Sequence, residues 1–436
     1  MNLKRKKDIL TYGAMLLIGF TFYFLPGKWI SIESDTIAYL SPDGREGVLP
    51  GYPAFLAFWK MILGEQYFLH GVVISQSLLA VICTFLFVLV LKKQFKLCGL
   101  ESIFLYILCT LPFSIYLPEV GITHQIMTEG ITYAIFYLFF IAVMKTIWTL
   151  QYRWFLVTMI VSILLGLIRS QMFFLQIICL LVLAWMLIKK FGVKKVFGIG
   201  ICCVAFIVGG ILLCWSKLPW NVTLQFDTVL MTRGFYEADE GDVELFEDEV
   251  MQDIFKRTYQ LADEEKCLHK YASNGLYMWQ DLVHDRMKEY AIQAINEYDL
   301  SHPGERIQEE RSICRELGLK VLLKHFDRYL YHTFRLMIPS FIATVFFQIE
   351  KIYLLCHFIT LFLYLFSFVI SLLVYKKNGD RRVVGLMTVT LCIMIIMVVS
   401  VNLLFVGLQR YMVYGMGIFY CCGYLLLREL YLMRRK

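Results

Sequence analysis

Five polar residues stand at the borders of long apolar runs: Asp35, Tyr39, Glu129, Arg169 and Arg410. Asp35 and Tyr39 lie in SDTIAYLSPDGREGVLPGYPAFL, four residues apart, so on a helix they share a face. An ionised carboxylate at Asp35 suits a general base acting on a hydroxyl. The plainer readings are a solvated loop acid or helix cap for Asp35 and an interfacial belt tyrosine for Tyr39. Glu129 follows Thr128 at the mouth of TEGITYAIFYLFF, where an acid also complements a helix dipole. His124, five residues before Glu129, is a weaker candidate. Arg169 interrupts an apolar stretch at LIRSQM, and ionisable groups in such stretches are paired or functional unless they snorkel to the interface. Arg410 sits in LQRYMVYGMG. Two guanidinium groups at one membrane face would bind a phosphate through charge-assisted hydrogen bonds, although lipid headgroups satisfy them as well.

The elements that must position these groups are membrane helices. Of 436 residues, 59% are hydrophobic and only 18% charged, against roughly 25% charged in soluble domains. Mean hydropathy is +0.64. Aromatic residues make up 16% of the chain, which suits interfacial belts. A span needs about 20 apolar residues. Ten segments qualify: 9–27, 69–91, 99–117, 129–147, 154–169, 171–188, 196–215, 352–374, 383–406 and 411–431. The fifth and sixth form one stretch, too long for a single crossing, so a tight hairpin at Arg169 is expected. The first span follows MNLKRKK and resembles a signal anchor without a small-residue cleavage site.

The basic clusters KRKK, KKQFK, KKFGVKK, KKNGDRR and RRK fall on one side in this topology. The positive-inside rule makes that side cytoplasmic, with both termini there. Residues 28–68, 118–128 and 216–351 and the turns at Arg169 and Arg410 then face outside. RLMIPSFIATVFFQ, 335–348, is too short to span and reads as an interfacial or re-entrant helix. The expected fold is an all-α polytopic membrane protein. A transmembrane module, 1–215, carries the first exterior loop; an acidic exterior domain occupies 216–351, and a three-helix module 352–436.

Residues 216–335 hold 23 acids and 15 bases, a balance of −8, so the rest of the chain carries +15. That asymmetry implies two compartments. In the acidic region, Leu245, Phe246, Met251, Ile254 and Phe255 recur at helical spacing, and Ser301 with Pro303 reads as a helix start. Pro50 and Pro53 are expected to disfavour regular helix around PGYP. The thirteen cysteines show no CxxC pair; Cys267 and Cys314 alone lie in clearly polar sequence, where a bridge is possible. No P-loop, GxGxxG, HExxH, GxSxG or DxD is present. Chemistry is therefore expected at the outer membrane face, with no cofactor, no preformed metal ligand set and no nucleic-acid partner.

The order of these features resembles the C-type polyprenyl-phosphate-dependent glycosyltransferases, in the branch of bacterial protein mannosyltransferases, aminoarabinose transferases and Rgt-like enzymes. The resemblance rests on an early D…Y loop followed by PGYP, TE opening the fourth span, LIR between the fifth and sixth, and RY before the last. It is best over residues 9–215 and returns at LLKHFDRYLYH and QRYMVYG. It implies an inverting transfer from a polyprenyl-phosphate sugar to a lipid, glycan or protein hydroxyl at the outer face. Asp35 falls on the family's base and Glu129 on its TE acid. Arg169 and Arg410 fall on residues facing the carrier phosphate. Tyr39, Tyr52, His124 and Tyr411 join them as substrate-binding candidates. The family commonly has Arg ahead of the PGYP-like turn; here GVLPGYP stands there, and Arg45 is the nearest substitute. Many members also pair the loop Asp with an adjacent Glu, where this chain has Thr36 and, on the other side, Glu33. The rival readings are an O-antigen-type polymerase or ligase using a diphosphate-linked glycan, and a non-enzymatic flippase or transporter.

Overall fold

The computed structural model describes residues 3–25, 29–32, 34–40, 49–116, 121–169, 171–201, 205, 226–271, 286–303, 310–346, 352–404 and 409–435. Their regular elements are helical; the β-type pairing among them is an isolated bridge between Ser31 and Gln125. Two compact units result. One comprises Met1–Thr223, Thr344–Met397 and Val413–Lys436; the other comprises Leu224–Ala343 and Val398–Met412.

The first unit opens with α1 (Leu3–Phe24), α2 (Ser34–Leu40), α3 (Gly51–Phe95) and α4 (Gly99–Tyr116). It continues with α5 (Thr128–Thr149), α6 (Tyr152–Ile168) and α7 (Gln171–Phe191). Among the described residues, five helices are long and apolar enough to cross a bilayer: Gly51–Phe95, Thr128–Thr149, Tyr353–Lys376, Arg381–Leu403 and Val413–Arg434. Gly99–Pro112 and Tyr152–Ile168 are apolar but shorter. The all-α, membrane-protein character stands on these helices.

The PGYP segment overturns its reading as a helix-disfavouring turn. Pro50 is the N-cap of α3, and Pro53 lies in its first turn. The first turn of a helix has no carbonyl partner for its N–H groups, so a proline there loses nothing. The glycine between them has a separate use. A Cβ on Gly51 would lie 2.7 Å from the backbone oxygen of Leu167, so only glycine lets this turn press against the end of α6, two residues before Arg169.

α3 runs 45 residues but is kinked at Gly64, whose φ of 70° and ψ of 174° are accessible essentially to glycine alone. No other atom would crowd a Cβ there. Gly64→Ala therefore tests backbone strain in isolation. The expected loss is about 1–3 kcal/mol of stability, read as a lower denaturation midpoint of the purified chain.

The chain breaks between α6 and α7 at Arg169, whose backbone is extended at φ −148° and ψ 119°. Its N–H still closes the last turn of α6 on Leu165 O, and its carbonyl accepts from Met172 N.

The second unit packs α8 (Phe226–Arg233), α9 (Glu249–Glu264), α10 (Arg286–Ser301) and α11 (Glu310–Lys324) with most of α12 (Phe326–Val345). Met251, Ile254, Phe255 and Leu261 line the buried face of α9 and join Met287, Ile295 and Leu317 in one core. The expected helical run through Leu245 and Phe246 is corrected. Glu240–Leu245 is a 3-10 helix, Phe246 is extended, and α9 starts only after Asp248, which caps Val250 N. Ser301 is likewise corrected: it ends α10, donating back to Glu297 O and Tyr298 O, rather than starting a helix. Cys267 and Cys314 are both buried free thiols, so the possible bridge is absent.

After α12 come α13 (Tyr353–Lys376), α14 (Arg381–Leu404), α15 (Gln409–Met412) and α16 (Met416–Arg434).

Candidate functional site

The first unit gathers three of the sequence motifs. α2, which carries Asp35, is tied down by its neighbour: Thr36 is buried and its Oγ1 donates to Ile126 O at 3.0 Å. Just ahead of α2, Ser31 N donates to His124 O, and Ser31 O accepts from Ile126 N, both at 3.0 Å. Residues 121–130 are buried throughout, and α3 supplies the partner that a buried irregular segment requires. Gln76 Nε2 donates to Thr123 O at 2.8 Å and to Gln125 O at 3.0 Å. Its Oε1 accepts from the Tyr52 hydroxyl at 2.9 Å, so the PGYP tyrosine is enclosed with its polar end satisfied. Tyr39 lies edge-on to the Tyr52 ring, centroids 5.2 Å apart.

Three residues beyond Ile126, Glu129 opens α5. Its Oε2 pairs with Arg169 Nη1 at 2.7 Å, and the side chains are only 2% and 11% exposed. Arg169 Nη1 also donates to Thr128 Oγ1 at 2.8 Å, and that hydroxyl donates to Glu129 Oε2 at 3.0 Å. Glu129 is therefore more than a dipole-complementing acid. It is the counterion that lets a guanidinium sit in an apolar stretch. A core of Tyr52, Leu56, Val73, Ile126, Ile131 and Ile168, with Tyr39 at its edge, cements the loop, TE and LIR motifs together.

The remaining candidates fall differently. His124 is buried, with Nε2 on Tyr23 O at 3.0 Å and its ring against Trp29; it braces the segment before Glu129. The side chains of Asp35 and Arg410 and the whole of Arg45 lie outside the described atoms, as does Glu33. Arg410 and the half-buried Tyr411 lie on α15. No family model, no curated protein and no solved structure matches this chain. Geometry alone ranks the residues.

The second unit holds a cluster that sequence reading missed. Asp239 and Asp242 form a capping box around the 3-10 helix Glu240–Leu245, each bonding the other's backbone N–H. Facing them, Arg328 and His332 lie four residues apart on one face of α12, and His325 sits in the turn between α11 and α12. Arg328 grips Asp239 with Nη1 at 3.2 Å and Nη2 at 2.9 Å, and its Nη1 also meets His269 Nε2 at 2.8 Å. His325 Nε2 and Lys324 Nζ each lie 2.8 Å from Asp242. His332 Nδ1 lies 2.8 Å from Glu237 Oε1. Buried Arg233 donates to Thr333 Oγ1 at 2.6 Å and feels the Glu237 charge. The visible signal was the acid spacing at 237, 239 and 242 opposite a basic helical stripe.

Asp239, Asp242 and His325 bring their ligand atoms within 4.8 Å of one another, a spacing that suits a divalent ion. Both carboxylates are already neutralised by Arg328 and Lys324, so a cation would have to displace two salt bridges. The cluster acts as a charge-balanced clasp between the acidic turn and α12.

That clasp has a pH dependence. Burial, then the Arg328 charge, holds the His269 imidazole below its ordinary value, while Glu237 and Asp239 pull it up and His332 pushes it down. The folded unit thus binds fewer protons at His269 than the unfolded chain. His269 costs nothing well above ~6.5, and destabilisation grows as pH falls from there toward the folded value. Asp239, held low chiefly by Arg328, loses its contribution only below the ordinary carboxylate range. Hydrogen exchange of 237–245 in the whole chain, corrected for intrinsic rates, is expected to speed up between pH 7.5 and ~5.5. His269→Gln is expected to flatten that change.

Proposed function

We propose that this chain is a membrane glycosyltransferase that moves a sugar from a polyprenyl-phosphate carrier to a hydroxyl acceptor at the outer face of the bilayer, with inversion. The observation that carries this reading is the meeting of three motifs in one unit. The helix bearing Asp35 is bonded through Thr36 to Ile126, three residues before the buried Glu129–Arg169 pair, and Tyr39 rests on the PGYP tyrosine. The proposal includes ten membrane crossings, both termini cytoplasmic, and the resemblance to C-type glycosyltransferases that the motif order supplies.

Asp35 takes the proton of the acceptor hydroxyl as its oxygen attacks the anomeric carbon. The bond from that carbon to the carrier phosphate oxygen breaks on the opposite side, and its electron pair stays with the phosphate. One displacement inverts the centre, so a single base suffices and no sugar–enzyme ester forms. Charge developing on the leaving phosphate needs fixed cations. The Arg169 guanidinium is a five-donor fork held in place by Glu129 and Thr128, and Arg410 is the second cation of the proposal. A lipid donor explains why no nucleotide-binding motif is needed, because its tail partitions into the bilayer that the apolar helices already occupy.

Membranes containing the chain, supplied with a panel of radiolabelled polyprenyl-phosphate sugars, are expected to transfer label to an endogenous acceptor in a chain-dependent way. The linkage should have the configuration opposite to that of the donor. Label moving only from diphosphate-linked glycans, with every monophosphate donor inert, would overturn the reading in favour of a polymerase or ligase.

A further inference from the structure

The C-terminal end of α12 lies at the middle of a membrane span. Thr344 Oγ1 is 2.7 Å from the hydroxyl of Tyr364, the twelfth of the 24 residues of α13. The carbonyl of Val345, the last residue of α12, accepts from the Tyr420 hydroxyl of α16. α13 is an apolar membrane-spanning candidate that starts at Tyr353 and ends at Lys376, so Tyr364 sits near mid-bilayer.

The rest of α12 is built for that depth. Thr344 and Phe334 are ten residues apart, a rise of about 15 Å. Half the hydrocarbon thickness is also about 15 Å. A helix standing upright would therefore place Phe334 at the hydrocarbon boundary, and any tilt would place it deeper. Phe334 is 64% exposed, Ile338 46% and Tyr331 57%, at spacings of three and four that form one stripe. The opposite face, with His332, Leu336 and Ser340, is buried. No acid occurs between Arg328 and Gln348, and the single permanent charge between them, Arg335, lies 5.7 Å from the Tyr331 ring centre. Tyrosine and a long cation one turn apart suit the headgroup layer, where the aromatic tip and the guanidinium both stay wet. Pro339 removes one backbone donor inside the helix, and Ser340 Oγ donates to Leu336 O in the same turn.

We infer that α12 is a re-entrant half-helix. Its C-terminal half inserts into the leaflet at which α13 begins, with Phe334 and Ile338 against acyl chains and Tyr331 with Arg335 among the headgroups. Lipid is the occupant because the end of α12 is bonded at the middle of α13, whose own outward residues Leu354, Phe358, Leu361 and Phe362 are apolar. Too short to cross, the segment returns the chain to the side it came from. This chooses between the interfacial and re-entrant readings of 335–348, and it does not depend on the proposed enzyme activity.

The test uses the whole chain reconstituted in vesicles of phosphatidylglycerol and phosphatidylethanolamine, the former radiolabelled. Benzoylphenylalanine replaces Phe334 or Ile338, with Phe358 as the lipid-facing reference and Tyr271 as the reference outside the membrane. Irradiation is expected to give labelled lipid adducts at 334 and 338 comparable to those at 358, and none at 271. Adducts at the Tyr271 level, or chain-to-chain products in place of lipid, would overturn the inference. If those replacements misfold, the unaltered chain in vesicles of acyl-chain diazirine lipid supplies the same readout. Insertion products within residues 331–345 support the half-helix, and labelling confined to the other apolar helices refutes it.

Discussion

Arg169→Met is expected to destabilise the first unit by about 3–5 kcal/mol, the usual cost of removing one partner of a buried ion pair. The reason is what stays behind. Glu129 is 2% exposed, and its carboxylate would keep Thr128 as a hydrogen-bond partner but lose its counterion. Glu129→Gln leaves the guanidinium to Thr128 and an amide, and should cost a comparable amount. The double variant removes both charges together. Its cost should fall well short of the sum of the singles, because an ion pair replaced by neutral side chains is often close to neutral in stability. Unfolding of the four proteins in mild detergent, followed by a double-mutant cycle, measures this. Additive losses would show that the two groups are not coupled. The same set separates structure from chemistry. If the Glu129–Arg169 pair is purely structural, the double variant recovers transfer along with stability; under the proposed mechanism it regains stability and remains inactive.

The sequence made Arg169 conspicuous but hid its partner. A guanidinium inside an apolar run demands a counter-charge, and periodicity along one chain does not say that it comes from an acid forty residues earlier. Glu129 had a sufficient local explanation in the helix dipole, and that explanation masked the tertiary one. The hairpin at Arg169 was legible because length alone forbade a single span. Prolines misled in the opposite direction. Pro50 and Pro53 carry a strong prior against helix, which fails in the first helical turn, where the missing N–H has no bond to lose. Ser301 was ambiguous for a similar reason, since a hydroxyl that caps the next helix can equally bond back to the carbonyls of the preceding one. The clasp of Glu237, Asp239 and Asp242 with His269, His325, Arg328 and His332 was the largest omission. Local periodicity shows the apolar faces of this domain but not which acids of the 237–242 turn meet Arg328 and His332, some ninety residues later.

Asp35→Asn is expected to lower the transfer rate by roughly 10²–10⁴-fold, the usual worth of a positioned general base. The change keeps size and most hydrogen-bonding capacity but removes proton affinity. Under the proposed mechanism donor binding should be unchanged, because there the carrier phosphate is held by cations rather than by this acid. The loss should therefore appear in kcat and not in KM for the carrier. The rate–pH profile should also lose its acid limb, since a general base must be ionised to act. A Thr36→Val companion gives the contrast. Thr36 ties α2 to Ile126 without offering a proton acceptor. Its loss should loosen the placement of Asp35 and lower kcat while leaving the shape of the pH profile intact. If Asp35→Asn retained full transfer, the carboxylate would be no more than a helix-start acid, and the base would have to be sought elsewhere. A drop in donor affinity with kcat intact would instead assign Asp35 to binding.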